Sequence, residues 1–346
     1  MPTSVAAVYA ALPHHVPDGC VRMTAWADWL PYLAWPSLGE GATPALPLPW
    51  LASRLGLGGL WLKAEWTNPT GSHKDRMSPL AAARAAETGA RGVACASTGN
   101  AALSLAAYAA AAGLPCRIVT TAAMPEGLRA ALRRMGAVLD DAPDALARWA
   151  ALERLAGEGW FPVTNYTLPA VGSSAWGVEG YKTVAFELAT ELGGPLDAVL
   201  VPVARGDLLW GIGAGFAALA ETGLWRYPMP RLVAVEPFPR LARVLAGAGR
   251  TTDTFAGQTR QGSVAGATLT DQMFRAVRDT GGQAVVVGDD AAEPARDELA
   301  RHGLVLELCA AASVAAAGLL RAAGRLASGA RIMAIGTAAA WLRPDA

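Results

Sequence analysis

From about residue 80 onward, short β-branched or apolar runs alternate with alanine-rich stretches of helical spacing, and this alternation limits the fold more than any other property of the chain. The apolar runs are 92–96, 116–120, 198–203, 232–235, 284–287 and 331–335. Among them stand helix-like stretches at 80–88, 103–112, 126–135, 183–192 and 208–221. A strand, a helix and a second strand in succession need a crossover, and crossovers join parallel strands with a right-handed sense. The pattern predicts an α/β fold with mostly parallel sheets. With 346 residues, 53% hydrophobic and 17% charged, the chain can bury a large core divided between two compact units.

Charge and patterning exclude several classes of partner. The formal net charge is zero and no basic run with interleaved aromatics occurs, so nucleic acid is not expected as a partner. The longest apolar stretches, 101–112 and 309–320, hold about 12 residues each against the roughly 20 needed to cross a bilayer. No membrane partner is expected, and the N-terminus lacks the layout of a signal peptide, which makes the cytoplasm the expected location. Cys20, Cys95, Cys116 and Cys309 form no CxxC pair, which argues against a zinc ribbon or a disulfide framework. His14, His15, Asp18 and Cys20 cluster near the start, but in a proline-rich segment they read as polar loop, and no metal is expected.

Chemistry enters at Asn68-Pro69-Thr70-Gly71-Ser72-His73-Lys74-Asp75-Arg76. Residues 60–65 read as a short half-buried strand, 68–71 as the turn that ends it, and the alanine-rich chain from Ser78 as a helix. Lys74 therefore lies on a strand-to-helix connection, where α/β proteins keep their sites. A lysine adds to a carbonyl when desolvation or a nearby cation lowers its pKa, and His73 and Arg76 are close enough in sequence to contribute. Two more joins suit an anion. Ala96-Ser97-Thr98-Gly99-Asn100 offers hydroxyls and backbone N–H groups at a helix start, where it serves equally as an N-capping turn. Ala204-Arg205-Gly206-Asp207-Leu208 joins a strand to a helix and adds a cation. The last strand ends at Gly336-Thr337.

Together these segments resemble the threonine synthase family within the fold-type II pyridoxal-phosphate enzymes. Ser37-Leu38-Gly39-Glu40-Gly41-Ala42-Thr43-Pro44 is similar to that family's SLGEGxTP, and residues 68–76 to its NPTGSFKDR. Residues 96–100 match ASTGN, Glu179-Gly180-Tyr181-Lys182-Thr183 resembles EGQKT, and Glu307-Leu308-Cys309-Ala310-Ala311 is a worn EPSSA. The resemblance runs from about Trp35 to the C-terminus.

The resemblance implies pyridoxal 5'-phosphate as cofactor, with Lys74 as its Schiff-base lysine and catalytic proton carrier. Asn100 would meet the cofactor's ring hydroxyl. Ala204, Arg205, Gly206, Asp207 and Leu208 would hold its phosphate, with Arg205 as the clamp and Asp207 steadying it or turned to the helix amides. His73 is expected beside the phosphate or in packing, and, if protonated, as a depressant of the Lys74 pKa. Thr337 would face the pyridine nitrogen, while Ser97, Thr98, Gly99 and Asn165 would receive an amino-acid substrate. Two positions depart from the family: Gly177 and Leu208 stand where it carries an arginine and an asparagine for the substrate's distal phosphate.

The expected architecture is two three-layer α/β domains with the cofactor between them. Residues 1–78 and 167–346 would form a large cofactor-binding domain and 79–166 a small inserted one. Homodimers are common in such families; Trp26, Trp29, Trp35 and Trp50 suit an interface or an ordinary core. Three functions stay open: elimination or replacement at the β or γ carbon of an amino acid with an altered leaving group, dehydration of L-threonine or L-serine to a 2-oxo acid, and a non-catalytic binding protein on the same fold.

Overall fold

The structure, a computed structural model, describes residues 21–340 together with 6, 7, 9 and 17. His14, His15, Asp18 and Cys20 lie outside the described residues. The strands are β1 (Ala45–Pro47), β2 (Gly59–Ala64), β3 (Val93–Ala96), β4 (Cys116–Thr120), β5 (Val138–Asp141), β6 (Phe161–Pro162), β7 (Ala198–Pro202), β8 (Arg231–Glu236), β9 (Gln283–Val286) and β10 (Arg331–Gly336). They form a six-stranded sheet in the order β1-β2-β10-β7-β8-β9 and a four-stranded sheet in the order β5-β4-β3-β6. Every pair is parallel except β1 with β2. The α/β expectation with mostly parallel sheets therefore holds.

Parallel strands are covered on both faces, and their sequences show it. β7 is buried at every position, as is β3. The alanine-rich helices Asn100–Ala111 and Leu308–Ala322 are buried along most of their length, where small side chains let backbones approach closely. Gly180 illustrates the tightness: a Cβ there would lie 1.8 Å from the Arg76 carbonyl oxygen. Trp26 and Trp29 lie in the core against Phe186, and Trp50 stacks on His302. None of these three is exposed for an interface.

β2 differs from the half-buried strand expected of it. It runs between β1 and β10 and is almost wholly buried, including Lys63. Burial is tolerable because Lys63 Nζ pairs with Glu187 at 2.9 Å and Glu191 at 3.1 Å. The next buried ion is Arg76, whose guanidinium meets Glu65 and Glu187 at 2.7 Å each, with hydrogen bonds to Thr43 and Thr183. This network ties the end of β2, the Lys74 turn and the helix Lys182–Leu192 into one body.

The carboxyl ends of β3, β7 and β10 lead into Ser97, Val203 and Thr337, and all three line one cavity of about 450 Å³. Ligands of open parallel sheets bind at such strand ends.

Candidate active site

Lys74 sits in a short 3-10 turn, His73–Arg76, capped by Ser72, whose hydroxyl accepts the Lys74 backbone N–H at 3.3 Å. Gly71 permits the reversal at φ +85°. Asp75 holds the start of the turn through the Thr70 amide at 2.6 Å and hydroxyl at 2.5 Å. The turn is stitched to the end of β10 by the His73 amide, which donates to the Thr337 carbonyl at 3.0 Å. Lys74 is thus aimed into the cavity by hydrogen bonds on both sides.

The chain has three lysines. Lys63 and Lys182 are ion-paired, the latter with Glu179, whereas Lys74 has no carboxylate partner among the described residues. Its Nζ donates to the Tyr181 hydroxyl at 3.3 Å. Burial lowers its pKa to about 8; Asp207 opposes the fall and Arg205 assists it. The cation that assists is therefore Arg205, not His73 or Arg76. Arg76 faces away into its carboxylates. Burial pushes the His73 imidazole well below its ordinary value, and Nδ1 lies 3.2 Å from the Thr337 carbonyl, which only accepts. Burial thus favours the neutral His73 with its proton on Nδ1, and the condition under which it would depress Lys74 is not met. Because a neutral lysine is the reactive form, we expect the rate of carbonyl addition by Lys74 to rise with pH around a midpoint near 8, rather than near the ordinary 10.5; stopped-flow absorbance with added pyridoxal phosphate measures it.

Around Lys74 the cavity collects Ser97, Thr98, Gly99, Asn100, the whole 204–208 loop, His73 and Thr337. Asn165 is not among the lining residues. Its amide donates to Thr167 O at 3.0 Å and accepts from Val171 and Gly172, so it shapes the loop 165–172. Asp207 also departs from expectation: Gly206 takes the cap position of the helix Asp207–Glu221, and Asp207 accepts from the Ser173 hydroxyl at 2.7 Å and Gln272 at 3.0 Å. Asp207 thus makes no hydrogen bond to Arg205 and affects it only as a nearby charge.

Sequence reading missed four supports. Tyr181 lay inside a quoted motif without a role. Glu307 accepts Asn100 Nδ2 at 3.0 Å on one oxygen and Ser263 Oγ at 2.8 Å on the other, which orients the Asn100 amide. Arg148 lines the cavity from the helix Ala145–Gly157. Arg240, fully buried, donates to Val203 O at 2.7 Å, Ala204 O at 2.9 Å and Gly266 O, with Glu236 behind it at 3.5 Å. Nothing in the local sequence around Arg240 signals this bracing. We expect Arg240→Met to weaken pyridoxal phosphate binding by about tenfold or more, because a charged donor shared by three carbonyls is lost; a cofactor titration followed by Tyr and Trp fluorescence checks it.

The donor set suits a phosphate-bearing aldehyde. Arg205 Nε is buried without a hydrogen-bond partner, the helix Asp207–Glu221 begins at the same loop, and Gly206 at φ +87° has no room for a Cβ, which would lie 2.4 Å from Met273. An unpaired cation, a helix start and a reactive amine in one cavity are what pyridoxal phosphate requires.

Comparison with known proteins agrees. Residues 36–338 match the model of the family described as pyridoxal-phosphate dependent enzyme. Threonine synthase of Methanocaldococcus jannaschii is 31% identical over 334 residues, covering 90% of this chain and 77% of that protein. The solved threonine deaminase of T.th. is 26% identical with a TM-score of 0.67, covering 86% of this chain and 92% of its own. Threonine deaminase isoform 2 from Solanum lycopersicum, 23% identical at a TM-score of 0.72 with 86% and 83% covered, shares the fold. With the lysine turn, the 204–208 loop and the parallel sheets all inside the matched span, the chain belongs to the family of pyridoxal-phosphate dependent enzymes.

Proposed function

We propose that the chain is a pyridoxal-phosphate dependent lyase of the threonine synthase-like group, acting by elimination or replacement at the β or γ carbon of a small amino acid. The observation that carries this is the unpaired Lys74 amine, with its lowered pKa, facing the Ser97–Gly99 turn and the 204–208 loop across one cavity. Bound pyridoxal phosphate supplies the electron sink that makes the substrate's Cα–H acidic. Lys74 holds the cofactor and, once released from it, carries the proton at Nζ, with Tyr181 Oη as its nearest partner. Arg205 and the backbone N–H groups of residues 206–208 hold the phosphate. Asn100, oriented by Glu307, meets the ring hydroxyl, and Thr337 serves the ring nitrogen. The Ser97 and Thr98 hydroxyls with the helix start at Asn100 receive the substrate carboxylate and turn the bond to be broken toward Lys74.

A second reading is dehydration of L-threonine or L-serine, favoured by the residues at the two departing positions, Gly177 and Leu208. A Cβ at Gly177 would lie 2.9 Å from Met77 Cγ and 3.0 Å from its carbonyl oxygen, so an arginine there has no path, and Leu208 presents an apolar surface to the cavity. The test runs O-phosphohomoserine, L-threonine and L-serine in parallel with the cofactor-loaded protein. Phosphate release with a replacement product supports the first reading, and ammonia with a 2-oxo acid supports the second. No product from any of them counts against both.

The same reading divides the chain into a large unit, 1–78 and 167–346, and a small unit, 79–166, that closes over the substrate; each sheet falls wholly within one range, which supports it. It takes the enzyme as a cytoplasmic homodimer, checked by sedimentation equilibrium. No helix among the described residues is long and apolar enough to cross a membrane.

A further inference from the structure

Two guanidinium groups line the cavity with no carboxylate in ion-pair range of either among the described residues: Arg205, from the loop after β7, and Arg148, from the helix Ala145–Gly157 beside the four-stranded sheet. The Nε of each is buried and makes no hydrogen bond. Trp149, the residue after Arg148, places its ring 5.5 Å from Arg205 Cζ, so the helix that carries Arg148 meets the loop that carries Arg205. Asp144 is committed elsewhere, capping its own helix through the Leu146 and Ala147 amides at 2.9 and 2.8 Å.

Arg148 and Arg205 are half-buried, and the arginines buried more deeply among the described residues are paired. Arg76 has Glu65 and Glu187, Arg240 has Glu236, and Arg129 has Asp141. Even partial burial of a guanidinium without a counter-ion is costly, and two near each other repel as well. Burial lowers both from the ordinary arginine value, and Arg205 lowers Arg148 further. An anion entering the cavity relieves both costs. The cofactor phosphate, held at the 204–208 loop, accounts for Arg205. Arg148 stands on a different element and is left over. Beside it, Leu146 and Leu168 line the same cavity while 60% and 58% exposed, an apolar rim that a bound side chain would cover.

We propose that Arg148 binds an anionic group, carboxylate or phosphate, at the end of the substrate's side chain. The proposal rests on the reading of this cavity as an amino-acid site. It assigns substrate choice to the helix Ala145–Gly157, where a guanidinium fork matches either oxyanion. Leu208, on the cavity wall, supplies no charge for this, and Gly177 is not among the lining residues.

The cofactor-loaded protein is titrated with O-phosphohomoserine, O-phospho-L-serine and L-aspartate, and with the neutral L-homoserine, L-serine and L-asparagine, while the absorbance of bound cofactor is followed. Acidic members are expected to bind at least about tenfold more tightly than their neutral counterparts. Arg148→Gln is expected to erase that preference with cofactor still bound, and Arg148→Lys, which keeps the charge without the fork, to restore part of it. The phosphate and carboxylate arms tell which oxyanion is preferred. Equal affinity for acidic and neutral members in the unaltered protein overturns the proposal, as does release of cofactor from Arg148→Gln in step with the lost preference, which would give Arg148 to the cofactor phosphate. Should Arg148→Gln not fold, Arg148→Lys decides alone: an unchanged preference overturns the proposal and a reduced one supports it. Failure of the underlying reading shows separately, as absence of covalent cofactor before any amino acid is added.

Discussion

Lys74→Ala is expected to abolish the yellow absorbance of covalently held pyridoxal phosphate and to lower turnover by at least ~10³-fold, the scale expected when an essential proton carrier is removed. The size follows from the absence of a substitute. Lys63, on β2, is locked between Glu187 and Glu191, and Lys182 is paired with Glu179, so neither amine can swing into the cavity. On the proposed reading Arg205, Gly206 and Asn100 still hold the cofactor, so the variant is expected to bind it without the covalent bond and to lose it on dialysis. Borohydride reduction of the native protein followed by peptide mass analysis is expected to place the adduct on the peptide carrying Lys74. An adduct on Lys63 or Lys182 would refute the assignment.

The largest effect on stability is expected at Arg76. Arg76→Met leaves the Glu65 and Glu187 carboxylates buried without their main partner, and breaking a buried pair from one side costs about 3–5 kcal/mol. Chemical denaturation should show that loss as a lowered midpoint. If the variant does not fold, Arg76→Lys carries the test: it keeps the charge but not the geometry that reaches Glu65, Glu187, Thr43 and Thr183 together. A change within about 0.5 kcal/mol, the range of ordinary surface substitutions, would contradict the network's importance. The pH dependence follows from Glu187, which Arg76 and then Lys63 hold below the ordinary glutamate value against the opposing effect of burial. A carboxylate with a lowered folded-state pKa contributes stability above its ordinary value of 4.5, and that contribution is lost as pH falls through the lowered value. Acid unfolding of the native protein is therefore expected to steepen below pH 4.5, and Glu187→Gln to flatten that limb.

Much of this was legible in the linear chain wherever local chemistry decides. The Lys74 turn is written in its residues, since Gly71 supplies the positive φ and Ser72 and Asp75 supply the side-chain bonds that hold it. The apolar runs mark the long buried strands well. β1, β5 and β6 escaped because β5 is partly exposed and half acidic, while β1 and β6 span only three and two residues. Neighbours in sequence misled where packing sets direction: His73 and Arg76 flank Lys74, yet one is neutral and the other points into a carboxylate cage.

The linear chain thus carried the parallel α/β plan, the Lys74 turn and the loops at the strand ends, because each is written in local runs and motifs, and the resemblance of those motifs to a known family implied the cofactor. Only the tertiary structure decided which side chains meet in the cavity. Tyr181 reaches Lys74 across 107 positions, Glu307 reaches Asn100 across 207, and Arg240 braces a loop 36 positions away. Crossover connections bring distant strand ends to one edge, so the partners of a site residue are set by sheet order and packing rather than by spacing along the chain.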